Sequence, residues 1–376
     1  MSSVVYVESN DPAPGANAIL AYRRRGNGSL SLLGSFSSNG SGFGNPDRLL
    51  GPDDSDQNVV VHPDGTLLFA VNGGSDTIAV FRIHADGSLA HVEGSPFPSG
   101  GVQPVSLGLA GDRLYVVNKA EDPGRPSTDA LPNYTGFLVD RAGGLSPIPQ
   151  STVTVARGAS PTQALISPSG DLLFGADLLA GVLQSLRIKP DGRLEQRPPT
   201  PVDSSPPGPL GLAAHPTQPI LYVGLPGANQ LGIYAYDTAG TLRPVVNAAN
   251  SGQALCWISR NHDGTRLYTS NATDNSLSVY DTTNPKAPVE IQHLALDSGG
   301  SPFQQSLDPT GQFLFVVSTN LFTQNPGDNV LHELTIAPDG TLKPAPPTTI
   351  LPIPPGARPA GVAVTWLAGR FARGWV

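Results

Sequence analysis

Two features of this sequence, a run of carboxylates and a single cysteine, have side chains that could take part in catalysis. Carboxylates are concentrated at Asp53-Asp-Ser-Asp56, where they could exchange protons or bind Ca²⁺ through oxygen atoms. Their spacing matches no calcium-loop signature, so solvated charge is the simpler interpretation. The single cysteine, Cys256, could act as a nucleophile only beside a base or a positive charge that lowers its pKa. Otherwise it packs as a small buried hydrophobe.

Side-chain amides form a third group of candidate functional residues, and they are distributed unevenly along the sequence. Amides both donate and accept hydrogen bonds, which suits an uncharged polar ligand or an ordered column of water. The glutamines concerned are Gln57, Gln103, Gln163, Gln304 and Gln305. Four cations in long loops could meet a carboxylate-bearing ligand or be ordinary surface residues, namely Arg48, Lys119, Arg125 and Arg157.

A repeat of 40 to 50 residues provides the elements that position these side chains. Its clearest unit, residues 57–98, alternates apolar runs of five or six residues with turns such as His62-Pro-Asp-Gly65 and His84-Ala-Asp-Gly87. Runs of this length between Asp-Gly turns are typical of antiparallel strands. Four such strands per unit predict the blade of a β-propeller.

The repeat predicts an all-β fold, a single closed seven-bladed propeller in one domain, residues 1–376. Three amino-terminal strands within residues 3–36 lack a fourth partner, and one strand within residues 357–367 is left over at the other end. Pairing them completes blade 1 and hides its sheet edges. The six other blades are predicted at about 57–98, 103–149, 161–203, 208–250, 252–296 and 301–349.

The long connections of this propeller are predicted on one face, called the top. Successive antiparallel strands reverse direction, so the strand 2–3 and blade-to-blade connections share the top, and tight turns share the bottom. Long loops on a rigid scaffold commonly carry function. The mouth of the axial channel is therefore expected at the top, lined by the first residues of the inner strands, which are Gln57, Gln103, Thr162, Leu210, Cys256, Phe303 and Arg358.

Composition restricts the partners. A net charge of −8 disfavours nucleic acid and anionic membrane surfaces, both of which need a basic face. The amino end lacks a signal-peptide pattern, and no run of about 18 apolar residues occurs. We therefore expect a cytoplasmic protein, with no cofactor and no metal, that takes a small-molecule ligand. A protein partner could contact the top loop at residues 118–134.

The repeats resemble the lactonase-type seven-bladed propellers, the family of the bacterial propeller 6-phosphogluconolactonases and the fungal carboxymuconate lactonizing enzyme. The resemblance rests on Val61-His-Pro-Asp-Gly65, Leu68-Phe-Ala-Val-Asn72 and Ile78-Ala-Val-Phe81, and on Asp-Gly-(Ser, Arg or Thr)-Leu turns at 86–89, 191–194 and 339–342. It implies a mouth with His, Arg, Glu and Arg in blades 4 to 7.

Most of the family's mouth positions hold other residue types in this sequence. The four positions read Thr162, Leu210, Cys256 and Phe303, and a further family glutamate position falls near Pro226. A separate residue, Asp177, matches a family acidic position.

Two hypotheses for function follow. In the first, this is a diverged lactonase-like enzyme, a hydrolase or lactone-forming isomerase, that acts on a small cyclic ester or related polar metabolite in the top-face funnel. Asp56 or Asp177 would be the acid or base, and Arg358 would hold an anion. The ligand would contact Gln57, Gln103, Thr162, Gln163, Cys256, Trp257, Phe303 and Gln305. In the second, the propeller has lost these functions and is a ligand-binding or protein-interaction scaffold.

Overall fold

The strands of this protein form seven separate antiparallel sheets. The computed structural model describes residues 3–25, 29–44, 54–121, 129–297 and 300–367. Arg48, Asp53, Arg125 and residues 122–128 of the 118–134 loop therefore lie outside the described residues. Two short 3-10 helices, Pro226–Ala228 and Pro326–Asp328, interrupt top connections. Within the described ranges, no helix has the length and apolarity needed to cross a membrane.

The strands follow the repeat from one end of the chain to the other. The first three are β1 (Ser3–Glu8), β2 (Ala18–Arg24) and β3 (Leu30–Ser37). The second sheet contains β4 (Val59–Val61), β5 (Leu67–Asn72), β6 (Thr77–Ile83), β7 (Leu89–His91) and β8 (Phe97–Pro98). The third contains β9 (Pro104–Ala110), β10 (Arg113–Asn118), β11 (Asn133–Val139), β12 (Leu145–Pro147) and β13 (Val153–Thr154). The fourth contains β14 (Leu165–Ile166), β15 (Leu172–Asp177), β16 (Val182–Ile188), β17 (Leu194–Gln196) and β18 (Thr200–Pro201).

The last three sheets have four strands each, and one strand follows them. The fifth sheet contains β19 (Leu212–Ala214), β20 (Ile220–Leu225), β21 (Gln230–Tyr236) and β22 (Leu242–Ala249). The sixth contains β23 (Leu255–Arg260), β24 (Arg266–Asn271), β25 (Ser276–Asp281) and β26 (Val289–Ala295). The seventh contains β27 (Ser301–Leu307), β28 (Phe313–Thr319), β29 (Val330–Ile336) and β30 (Leu342–Ile350). The final strand is β31 (Ala360–Trp366).

The two ends of the chain meet in blade 1. Strand β31 pairs antiparallel with β1, with Val364 opposite Val5 and Ala363 opposite Tyr6. The sheet order β3-β2-β1-β31 makes β31 the inner strand, and it contacts the inner strands β4 and β27 on either side. The predicted fold, a seven-bladed all-β propeller whose first blade is completed by the carboxyl-terminal strand, is confirmed.

Hydrophobic side chains fill the spaces between neighbouring blades. Val4 and Tyr6 of blade 1, for example, pack in one buried cluster with Leu68 and Ala70 of blade 2. These residues alternate with residues that face the opposite neighbour, because side chains of a strand project alternately to its two faces. Each blade therefore buries both faces, which explains why the second strand of most units is almost continuously apolar.

Aspartate carboxylates stabilise the tight turns on the bottom face by accepting hydrogen bonds. In the turn of blade 2, Asp86 accepts hydrogen bonds from the backbone N–H and hydroxyl of Ser88, at 2.9 and 2.6 Å. The intervening Gly87 has φ +88°, a conformation that favours glycine. The bonds from Ser88 hold the pKa of Asp86 below its ordinary value. The same arrangement recurs at other turns, at Asp64, Asp263 and Asp339.

Tyrosine hydroxyls join alternate pairs of blades. Tyr6 in β1 donates to the Gly87 carbonyl of blade 2 at 2.9 Å, and Tyr115 in β10 donates to the Gly192 carbonyl of blade 4 at 3.0 Å. Tyr268 occupies the same repeat position in blade 6, but its buried hydroxyl has no partner among the described residues. There, Arg266 Nε donates to the carbonyl of Asp339 in the next blade at 2.9 Å.

We predict that Tyr6→Phe lowers the free energy of unfolding by about 1 kcal/mol, because it leaves a carbonyl at a blade interface without its donor. Tyr268→Phe is the matched control and should leave that free energy unchanged or slightly higher, since its hydroxyl makes no bond. Urea unfolding of the three proteins measures both effects. Equal losses in the two variants would show that the inter-blade bond is not the cause.

Candidate functional site

A polar cavity of about 490 Å³ lies on the propeller axis. Its walls come from six inner strands, which are β4, β14, β19, β23, β27 and β31. At one end it is lined by Asp56, Gln57 and Gln163, which precede their inner strands at the top. At the other end it is lined by Arg260 and by His262 of a bottom turn. The cavity therefore runs along the inner strands from one face towards the other.

The two ends of the cavity differ in exposure. At the top end Asp56 and Gln163 are buried and Gln57 is half-buried, whereas at the bottom end Pro168 and His262 are exposed. In the part of the chain that the structure describes, the cavity is therefore closed at the top and opens on the bottom face. This corrects the expectation of a top-face funnel, which assumed that long loops surround an open mouth.

Residues 54–58 close the top end. This segment precedes β4 of blade 2, yet it is bonded to three other blades. Lys119 Nζ of blade 3 donates to the Asp54 carbonyl at 2.7 Å, and Gln304 Nε2 of blade 7 donates to the Ser55 carbonyl at 2.6 Å. The Asp56 N–H donates to the Thr162 carbonyl of blade 4 at 3.2 Å. A segment bonded to blades on both sides of blade 2 must pass over the axis.

Asp56 supplies the one carboxylate among the described residues that line the cavity. Its side chain is 9% exposed, and Oδ1 accepts a hydrogen bond from the Gln57 N–H at 2.7 Å. Burial raises the pKa of Asp56 from 3.8 to about 7, and the bond from Gln57 only partly opposes this rise. A carboxyl group with this pKa exchanges its proton readily near neutral pH, as a general acid or base requires.

Side-chain amides line the same cavity as this carboxyl group, and inter-blade bonds fix two of them. Gln163 Nε2 donates to Gln57 Oε1 at 2.9 Å, and its Oε1 accepts from the Leu212 N–H at 2.7 Å. Gln305 Nε2 donates to the carbonyls of Trp257 and Tyr268, at 3.0 and 2.7 Å. Gln305 Oε1 is buried and has no partner among the described residues. These amides give the cavity a preorganised, polar lining.

Two other predicted catalytic residues lie outside this cavity. Asp177 is buried at the top of blade 4, where Oδ1 accepts from the N–H groups of Ser160 and Ala180 at 2.8 and 3.2 Å. Burial raises the pKa of Asp177, but its side chain holds a top connection. Arg358 is 7% exposed, and its carbonyl accepts from Asn10 Nδ2 at 3.1 Å. Neither lines the cavity with Asp56.

Gln103 and Thr162 bind backbone groups. Gln103 Oε1 accepts from the Glu121 N–H at 2.8 Å, and Thr162 Oγ1 donates to the Leu210 carbonyl at 3.0 Å. Both side chains are fully buried and lie outside the cavity lining.

Cys256, Trp257 and Phe303 belong to a buried apolar cluster with Leu210. Burial raises the pKa of the Cys256 thiol, and Sγ donates to the Ala254 carbonyl at 3.1 Å. The rings of Trp257 and Phe303 are 6.0 Å apart. None of the three lines the cavity, so they pack the top end of blades 5 to 7.

Sequence reasoning missed the roles of two cations. Lys119 appeared as one of several loop cations, but its side chain is fully buried and anchors the segment over the axis. Arg260 lines the cavity near its open end. Its position as the last residue of an inner strand was a sequence signal for this role. The sequence-based prediction considered only residues at the top face and therefore excluded it. Among the residues described, no group of three or more His, Cys, Asp or Glu could hold a metal ion.

The fold and the cavity define a seven-bladed propeller with a polar axial site, and this architecture is similar to that of known proteins. Residues 163–322, in blades 4 to 7, match the family described as "Lactonase, 7-bladed beta-propeller". This match confirms the predicted resemblance to the lactonase-type propellers. No curated protein matches the chain.

Solved structures have the same architecture over nearly the whole chain. The periplasmic gluconolactonase of Pseudomonas aeruginosa is 20% identical, with a TM-score of 0.73 over 98% of this chain and 100% of its own. A candidate 6-phosphogluconolactonase from Bacteroides uniformis is 15% identical, with a TM-score of 0.74 over 97% and 99%. A protein from Lactobacillus plantarum is 17% identical, with a TM-score of 0.72 over 97% and 100%. At these identities the likeness concerns the fold.

We predict that Asp56→Asn becomes more stable than the parent protein as pH rises. The folded-state pKa of Asp56 is raised to about 7, so its stabilising effect is complete below about pH 4 and is lost as pH rises through 7. Asparagine does not titrate. The difference in unfolding free energy between the two proteins should therefore shift in favour of the variant by up to about 4 kcal/mol from pH 4 to 8.

Denaturant unfolding at pH 4, 6 and 8 measures this difference. The contributions of the other titrating groups to it cancel, because both proteins contain those groups. Asp64→Asn serves as a control of opposite sign. The pKa of Asp64 is lowered by its hydrogen bonds with Thr66 and by His62, although burial opposes this, so this variant should lose stability relative to the parent as pH rises. A difference for Asp56→Asn that does not change with pH would contradict a buried carboxyl group with a raised pKa.

Proposed function

We propose that this protein is a diverged lactonase-like hydrolase that opens a small cyclic ester or related polar lactone inside the axial cavity. The observation that carries the proposal is the position of Asp56, a carboxyl group with a pKa of about 7 at the closed end of a polar cavity. The lactonase family match over residues 163–322 supports the reaction class. A cytoplasmic location stays a prediction.

The cavity contains the groups that hydrolysis needs. The Asp56 carboxylate would take a proton from water as the water oxygen attacks the lactone carbonyl carbon. The negative charge that develops on the carbonyl oxygen needs donors, and the side-chain amide of Gln57 lines this end of the cavity. Collapse of the intermediate breaks the bond to the ring oxygen, which takes the proton back from Asp56. One lactone and one water thus give one hydroxy acid.

The size of the cavity restricts the substrate. Small-molecule sites commonly enclose about 300 to 1,000 Å³, and this one encloses about 490 Å³. Its wall carries the amide groups of Gln57 and Gln163 at the closed end and of Gln305 further along the axis, and these favour a ligand with several hydroxyl or carbonyl oxygens. A compact oxygen-rich lactone fits these requirements better than a long aliphatic one.

The second candidate function is a non-catalytic ligand-binding or protein-interaction propeller. The observation that favours it lies at the top end, where Leu210, Cys256 and Phe303 occupy mouth positions and pack together in an apolar cluster. Leu179 and Phe322, in top connections, are 58% and 46% exposed. Exposed apolar side chains can mark protein interaction sites. A partner on the top face would leave the bottom-facing cavity free.

Hydrolysis of a panel of sugar, phosphorylated and aliphatic lactones tests the proposal. The parent protein should hydrolyse a polar lactone above the spontaneous rate. Asp56→Asn should reduce kcat/KM by about 10²-fold or more, the usual contribution of a general base. Asp177→Asn is the matched control, because it removes a buried carboxylate outside the cavity, and it should keep activity within a few-fold of the parent.

Other outcomes of this assay are equally informative. Activity lost in Asp177→Asn or Arg358→Gln but kept in Asp56→Asn would place the site at the top of the propeller and contradict the axial site. Absence of turnover with every lactone would favour the non-catalytic function.

We further predict that kcat/KM rises with pH around a midpoint of about 7. A general base works in its ionised form, and the raised pKa of Asp56 keeps part of the protein protonated and inactive below that pH. Initial rates between pH 5 and 8.5, corrected for spontaneous hydrolysis, give the midpoint. A rate that falls as pH rises through 7 would instead make protonated Asp56 the active form.

A further inference from the structure

Arg260 is a partly buried cation at the open end of the cavity. It is the last residue of the inner strand β23 and lines the cavity near His262. Its Nη1 donates to the neighbouring Asn261 carbonyl at 3.1 Å. No carboxylate forms an ion pair with Arg260 among the residues that the structure describes. Arg266, the first residue of the next strand of the same sheet, does form an ion pair, with Asp281 at 3.2 Å.

The acidic side chain that is nearest to Arg260 in sequence does not pair with it. The nearest acidic residue in sequence, Asp263, is occupied in its turn, where Oδ1 accepts from the N–H and hydroxyl of Thr265 at 3.0 and 2.7 Å. Burial and the positive charge of Arg260 both lower the pKa of His215. Burial also lowers the pKa of Arg260. The bottom end of the cavity therefore combines a guanidinium that has no ion pair among the described residues with the imidazole of His262.

A guanidinium withdrawn from water without a counterion is destabilising, and its planar fork matches the oxygens of a carboxylate or phosphate. The geometry points to an anion-binding subsite at the bottom mouth, in which Arg260, assisted by His262, holds a carboxylate or phosphate group of a ligand that enters the cavity from the bottom face. This subsite does not depend on hydrolysis at Asp56, because binding there needs only the open end of the cavity.

The subsite lies well away from the proposed general base. Cys256 occupies the same repeat position in its inner strand as Gln57, and it lies four positions before Arg260. At about 3.3 Å per residue, the backbone levels of the two ends are about 13 Å apart. A compact lactone at Asp56 does not span this distance, so the anion held at Arg260 occupies the open end of the cavity separately.

Calorimetric titration of the purified protein with inorganic phosphate and, separately, with succinate tests this inference. We expect saturable binding of one anion per chain at low ionic strength, weakening as sodium chloride is added. Arg260→Gln should weaken binding at least tenfold. Arg187→Gln removes the same charge from an exposed outer position and should leave the affinity unchanged. Comparison of the two anions distinguishes phosphate from carboxylate recognition.

Further variants separate a binding defect from a folding defect and from hydrolysis. Arg260→Gln should unfold at the same temperature as the parent or higher, because it removes an unpaired, partly buried charge. Asp56→Asn should retain anion binding even if it has lost hydrolysis. Undetectable binding of both anions, or equal losses in Arg260→Gln and Arg187→Gln, would overturn the anion subsite without bearing on Asp56.

Discussion

The pairing of β31 with β1 is the constraint on which the other features depend. It places Val362, Ala363 and Val364 in the inner strand of blade 1, and these residues also form part of the cavity wall. Without this strand, the buried edge of β1 would be open to solvent and the ring would lack one side. Closure of the fold and enclosure of the axial cavity are therefore the same event.

Closure also determines the proton affinity of Asp56. The segment at 54–58 crosses the axis because blades on both sides of blade 2 have hydrogen-bond donors and acceptors at the level of the segment. Lys119 and Gln304, for example, donate to its carbonyls. Once held there, the carboxylate loses contact with water, and no cation among the described residues of the cavity wall near it replaces that water, so its pKa rises. A chemically ordinary aspartate thus acquires a pKa suited to acid–base chemistry through its position alone.

Periodicity and turn chemistry were sufficient to predict the fold, because each blade repeats the same alternation and the same Asp-Gly turns. The predicted site was only partly assembled: Asp56, Gln57, Gln163 and Gln305 line one cavity, whereas Cys256, Trp257 and Phe303 pack in an apolar cluster. Repeat position specifies height along the axis, but not whether a side chain faces the channel or a neighbouring blade. The crossing of residues 54–58 depends on tertiary bonds that no local pattern encodes.

The two ends of the cavity influence each other through their charges. An anion held at Arg260 would lie about 13 Å from the level of Asp56, and at an effective dielectric constant of 20 two negative charges at that distance repel by about 1.3 kcal/mol. Binding of the anion would therefore raise the pKa of Asp56 by about one unit. Loss of the anionic product would restore the ionised form of Asp56, the form needed to activate the next water molecule.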